Sequence, residues 1–141
     1  GKKVEKQTLD NNEIIDRKAL GRIIFNNKQE RIWLEELIHP IVKHRFSREL
    51  FENKYLPTIV LVIPLLFEAK LTNICSEIWL VHCSFKQQCL RAMKRDGINF
   101  LEASKRVNSQ LSLNKKKELA DVLIDNSQDI NSWKKQINKL V

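Results

Sequence analysis

Glycine is scarce: only Gly1, Gly21 and Gly97 occur in 141 residues. A loop that wraps phosphate with its backbone N–H groups needs closely spaced glycines followed by Lys and Ser or Thr, because side chains would hold the ligand away. No such loop and no dinucleotide-binding fingerprint occurs in these residues. Cysteine is nearly as sparse. Cys75, Cys83 and Cys89 make an odd count without a C-x-x-C pair, which argues against a disulfide framework and a zinc site. The expected setting is a reducing cytoplasm. No apolar run approaches the roughly 20 residues of a membrane-spanning helix. The charged start, Gly1-Lys2-Lys3-Val4-Glu5-Lys6, is followed by no apolar core and does not read as a signal peptide.

What is present is an ordinary globular mixture, 43% hydrophobic and 30% charged, with a marked basic excess. The formal charge is +8, from 25 Lys+Arg against 17 Asp+Glu, which favours anionic partners over neutral ones. A solvated basic surface is the plain alternative.

The first 15 residues are polar, with Asp10-Asn11-Asn12 as a turn signal. Asp16 is placed to cap a helix that carries Ile23, Ile24 and Phe25, and Asn26-Asn27 breaks it. Trp33, Leu34, Leu37, Ile38, Ile41 and Val42 then recur at helical spacing, continued by Phe46 and Leu50. Pro40 lies inside that stripe and is expected to end one helix and open or kink another, since it lacks a donor and crowds the preceding turn.

Three short runs read as strands: Thr58–Ile63, Glu77–Cys83 and Asp121–Asp125. The first two are continuous and apolar enough to be buried on both faces, which points to a parallel sheet. Helices are expected over about 85–95, 99–110 and 113–120, with Gly97 as a C-terminal stop. Ile130, Trp133, Ile137 and Leu140 give an amphipathic closing helix. Strands alternating with helices imply an α/β layered domain.

The candidate chemistry gathers after the strands. Arg91 and Arg95 are four residues apart on one helix face, where like charges repel unless an anion intervenes, and guanidinium forks match phosphate oxygens. Arg106 and Gln110 repeat the spacing on the next helix, ahead of Lys115-Lys116-Lys117, so two basic helices could close over a polyphosphate. Solvated charge is the competing account of both. Asp125-Asn126-Ser127 follows a strand, where ligands of open α/β sheets bind, and Asn126 offers a donor and an acceptor to a purine edge. The same triplet also suits a simple turn. Glu68 ends Pro64-Leu65-Leu66-Phe67 at another strand end, where its carboxylate could meet a hydroxyl or a metal-bound water, or simply face solvent. His39 reads as a core or interface histidine making a hydrogen bond. Trp33, Trp79 and Trp133 read as packing groups and not as base-stacking platforms.

Taken in order, these pieces resemble the dephospho-coenzyme A kinase family. The resemblance is carried by Asp16-Arg17-Lys18-Ala19-Leu20-Gly21, Leu37-Ile38-His39-Pro40, Val62-Ile63-Pro64-Leu65-Leu66-Phe67-Glu68 and Leu90-Arg91-Ala92-Met93-Lys94-Arg95-Asp96-Gly97. Arg106 with Gln110, Lys116 ahead of Ala120-Asp121, and Asp125-Asn126-Ser127 complete it. It covers nearly the whole chain from about residue 14 onward.

The resemblance implies a three-layer, P-loop kinase-like parallel sheet related to nucleoside monophosphate kinases, with a helical acceptor-binding region over about 16–55 and lid-like helices over about 85–120 of a single partial kinase domain. It implies transfer of the ATP γ-phosphoryl group to the ribose 3′-hydroxyl of dephospho-coenzyme A, with Mg²⁺. Arg91 and Arg95 would contact phosphate from the lid, Arg106 would join them in ATP binding with Gln110 in support, and Asn126 would lie near the adenine. Pro64, Leu65, Leu66 and Glu68 would line the acceptor side, and His39-Pro40 would shape it. The family's first two strands, P-loop lysine, magnesium-binding hydroxyl and catalytic base have no counterpart in these residues, so the 141-residue chain is expected to be inactive alone and its sheet incomplete. No membrane partner is expected. A non-catalytic basic module for nucleic acid, and a related nucleoside monophosphate kinase, are the rival readings; no nucleic-acid motif supports the first.

Overall fold

The computed structural model describes residues 15–140. The chain divides into two compact units, Gly1–Pro64 and Leu65–Val141.

The described part of the first unit is helical. Helix α1 spans Arg17–Asn26, and the Asp16 side chain accepts the N–H groups of Lys18 and Ala19 at 2.8 and 3.1 Å, as its place in the sequence predicts. Asn27 serves two helices. Its own N–H closes α1 on the Ile23 carbonyl, and its side chain accepts from Gln29 and Glu30 to open α2, Lys28–Glu52. α1 packs on α2.

Pro40 neither ends nor divides α2, contrary to the expectation from sequence. A proline deletes one i→i−4 bond, whereas this 25-residue helix retains the rest of its ladder. Ion pairs Arg31–Glu35, Arg45–Glu49 and Arg48–Glu52 span successive turns at 3.6–3.7 Å. Each adds about 0.3–0.5 kcal/mol at such exposure.

The run Thr58–Ile63 is a second correction. It is not a strand: it joins no ladder, and Val60 and Val62 are 82% and 84% exposed. β-branched residues suit a pleated surface, but a strand exists only where a neighbour supplies hydrogen bonds. Among the described residues nothing pairs with this run.

The second unit is α/β. Strand β1, Trp79–His82, pairs in parallel with β2, Val122–Asp125, in the register Trp79↔Val122 to His82↔Asp125. Two of the three expected strands therefore form the sheet. The entry of the pair is clamped by Asp121, whose carboxylate accepts from Ile78 N at 2.7 Å while its N–H donates to the Ile78 carbonyl at 2.9 Å. Parallel strands need a long crossover. Here it consists of α3, Phe85–Asp96; α4, Phe100–Asn108; and α5, Leu113–Leu119.

Ser84 and Gln87 form a capping box that starts α3, and Asn99 with Glu102 does the same for α4. Gly97 ends α3 with φ +64°, the left-handed conformation that glycine adopts without penalty. α3 and α4 pack together and each buries one residue completely, Cys89 and Ala103. Ala69, Leu71, Cys83 and Ile124 complete the small core. The last helix, α6, Ile130–Ile137, lies against β2. Gln136 fastens it by accepting from the Asp125 N–H at 2.9 Å and donating to the Asp125 carbonyl at 3.0 Å.

Candidate nucleotide site at the strand ends

β1 and β2 run the same way, so their carboxyl ends lie side by side, and α3 leaves directly from the first of them. Arg91 sits two turns into α3 and spans both ends. Its Nη2 donates to the Asn126 carbonyl at 2.8 Å, and its Nη1 lies 3.7 Å from the Cys83 sulfur. The Asn126 N–H donates to the His82 carbonyl at 2.8 Å, which locks the β2 end onto β1. Gln87 adds a third tie, from Nε2 to the Ser127 carbonyl at 2.7 Å. Asp125 accepts the Ser127 N–H at 2.8 Å, and hydrogen bonding to Ser127 holds its carboxyl below the ordinary range.

Arg91 and Asn126 are thus brought together at one edge of the sheet. These backbone ties leave the Asn126 side-chain amide with no hydrogen bond among the described residues.

Arg95 is placed differently. It is 76% exposed, and its guanidinium holds Asp96 through two bonds of 2.7 and 2.9 Å. Arg106 reaches the same carboxylate from α4 at 2.6 Å. The hydrogen bond from Arg95 holds the Asp96 carboxyl below its ordinary range; burial opposes this, and the charges of Arg95 and Arg106 add to it. The like-charge strain expected between Arg91 and Arg95 is therefore relieved within the protein, by Asn126 O and by Asp96. In the sequence Asp96 stands within the Leu90–Gly97 motif without a role of its own; the structure shows it holding both arginines.

Glu68 turns inward. Its Oε1 accepts from Lys116 Nζ at 2.8 Å and from Leu111 N at 2.9 Å, while Oε2 is buried without a partner. Burial raises its pKa, but the bonds from Lys116 and the backbone outweigh burial and leave the carboxyl below its ordinary value. Lys116 is only 9% exposed and also donates to Gln110 Oε1 at 3.0 Å. It is thus unlike its neighbour Lys115, which pairs with Glu118 at the surface. Lys116 and Gln110 line a cavity of about 440 Å³, together with Phe85, Gln88, Leu111 and Ser112 among others.

Leu65 is exposed and Leu66 half-buried in the turn that carries Glu68. His39 and Pro64 belong to the first unit. His39 is half-exposed on α2 and makes no hydrogen bond among the described residues. No group of three His, Cys, Asp or Glu suited to a metal is found among the described residues. No described helix is long and apolar enough to cross a membrane.

Comparison with known proteins bears on the family and on the fold. A model of the family described as dephospho-CoA kinase matches residues 2–132. A dephospho-CoA kinase of Prochlorococcus marinus strain SARG is 48% identical over 141 residues, covering 100% of this chain and 67% of its own length. That of Parasynechococcus marenigrum strain WH8102 is 52% identical over 117 residues, covering 83% of this chain and 59% of its own length. The chain thus spans about three-fifths to two-thirds of the curated relatives it matches.

Among solved structures, a dephospho-CoA kinase from Campylobacter jejuni is 27% identical with a TM-score of 0.60, covering 96% of this chain and 68% of its own. TT1252 from Thermus thermophilus shares the fold at a TM-score of 0.72 and 24% identity, covering 99% and 72%. With its motifs in order along almost its whole length and relatives this similar, the chain belongs to the dephospho-CoA kinase family.

Proposed function

We propose that this chain carries the lid and base-binding side of an ATP-dependent phosphotransferase that acts on the ribose 3′-hydroxyl of dephospho-coenzyme A, in the cytoplasm. The observation that carries the reading is the Arg91 guanidinium spanning the carboxyl ends of β1 and β2 beside Asn126. Strand ends of this kind are where α/β sheets take nucleotides. A fixed guanidinium there neutralises phosphate charge, and the open amide of Asn126 can meet a purine edge.

In this reading Arg91 faces the nucleotide directly. Arg95 and Arg106, tethered by Asp96, form a second rank. Arg95 would engage phosphate by exchanging Asp96 for it. The acceptor-side roles of His39, Pro64, Leu65, Leu66 and Glu68 rest on the family resemblance, as does the completed three-layer P-loop kinase sheet. Mg²⁺ would offset the charge that develops on the phosphates during transfer. No described cluster suits its binding, and no step is assigned to it.

Isotope-edited NMR of the 141-residue chain titrated with MgATP tests the reading. The expected result is that the Asn126 side-chain amide and Arg91 Nε signals move together, and that Arg91→Ala abolishes the response at Asn126. Shifts confined to other surfaces would overturn it. The same chain supplied with ATP, Mg²⁺ and dephospho-coenzyme A should give no turnover above a protein-free blank, because no P-loop lysine lies within these residues to meet the transferring group.

A further inference from the structure

Gln110 has an amide whose two ends differ in what they can offer: its oxygen only accepts, and its NH₂ only donates. Its neighbour Lys116 can only donate, so the Gln110 oxygen must be the end turned toward Lys116, at 3.0 Å. Lys116 is held in turn by Glu68, at 2.8 Å, and Glu68 also takes the N–H of Leu111, the residue after Gln110. The relay is partly buried, with side-chain exposures of 11% for Lys116 and 20% for Glu68. It lies at the wall of the cavity that Gln110, Leu111 and Lys116 line with Gln88 and Ser112.

We infer that Glu68 is a positioning residue acting through Lys116, and that the pair fixes Gln110 with its NH₂ group free to donate to a hydrogen-bond acceptor in this cavity, the acceptor being a phosphate oxygen of the nucleotide. This rests on the phosphotransfer reading above and adds to it a specificity element. Within the relay, the Lys116 charge is balanced by Glu68. The contribution to the ligand therefore comes as an oriented neutral donor and not as a second full cation. Gln110 itself is exposed, so a ligand group that only donates would gain no bond there, while an acceptor would.

The test is the Gln110 side-chain amide signal of the 141-residue chain during titration with MgATP. In the unsubstituted chain Gln110, Arg91 and Asn126 should all respond. In Lys116→Met the Gln110 response should fall at least about fivefold at equal MgATP, a coupling of ordinary size, while those of Arg91 and Asn126 persist. Lys116→Arg, which keeps the donor, should restore it. Glu68→Gln is the milder variant should Lys116→Met fail to fold, with the Asn126 backbone amide as the check of folding; it should weaken the Gln110 response in the same direction.

A Gln110 response unchanged in Lys116→Met and in Glu68→Gln would overturn the inference. So would silence at Gln110 in the unsubstituted chain while Arg91 and Asn126 respond, and that result would leave the phosphotransfer reading standing. Silence at all three would remove both.

Discussion

The two units of this chain are held together by different means. In the described part of the first, order is local: Asp16 and Asn27 cap the helices, and ion pairs four residues apart line α2. Gly21 alone is buried there, while Leu37, Ile41 and Phe51 are 55%, 67% and 69% exposed. In the second unit order is long-range: Glu68 binds Lys116, Arg91 binds Asn126, and Asp121 clamps Ile78. Local bonds make helices, but they do not bury side chains. Distant polar ties, by contrast, can fix a loop and a strand end in one place, which is what a binding site needs.

Four substitutions or conditions would break or sharpen this contrast. Trp33 reports the first unit, and Trp79 and Trp133 the second, so fluorine-labelled tryptophan resolves them. The largest effect is expected from Lys116→Met, which strands Glu68 as a buried unpaired carboxylate. It should cost about 3 kcal/mol, the low end for breaking a buried pair because both groups keep some exposure. The Trp79 and Trp133 transitions in urea should shift while that of Trp33 does not; a matching shift at Trp33 would end the distinction.

Next comes Ala103→Leu, which forces a larger side chain into a fully buried position on α4. Overpacking should cost about 2 kcal/mol, again seen at Trp79 and Trp133. Asn27→Ala is the converse. It removes the acceptor for Gln29 and Glu30 and should cost about 1 kcal/mol of helix, read as lost far-UV ellipticity and an earlier Trp33 transition.

The smallest effect is a pH dependence. The Glu68 carboxyl lies below its ordinary value when folded, so its contribution is complete above the ordinary carboxylate range and is lost as pH falls through the folded value. Stability of the second unit should therefore decline below about pH 4, and part of that decline should vanish in Glu68→Gln. An identical acid profile in the variant would show that Glu68 contributes nothing to it.

Features that depend on neighbouring residues were legible in the sequence. Asp16, Asn27 and Gly97 cap or stop helices where their chemistry says they should, and β1 and β2 fall inside the runs expected for them. The meeting of Arg91 with Asn126 was legible too, because helix spacing and strand ends place both on one edge. What was not legible depends on a partner elsewhere. Thr58–Ile63 has strand composition, yet composition supplies no ladder. Pro40 marks a lost bond but not how much helix surrounds it. The resemblance singles out Lys116 from its run, but its burial against Glu68 shows only in the structure, and Arg95 looks free until Asp96 is seen to occupy it.

The double duty of Asn27 carries a last consequence. With one residue closing α1 and opening α2, there is no slack between the two helices. Each residue of an α-helix advances the direction of its side chains by about 100°. A single residue inserted into the first turn of α2 would therefore swing every later side chain of that helix by that angle relative to Asn27, whereas a conservative replacement within α2 would leave the phase untouched. The joint is a gear tooth, and its tolerance is for exchange and not for length.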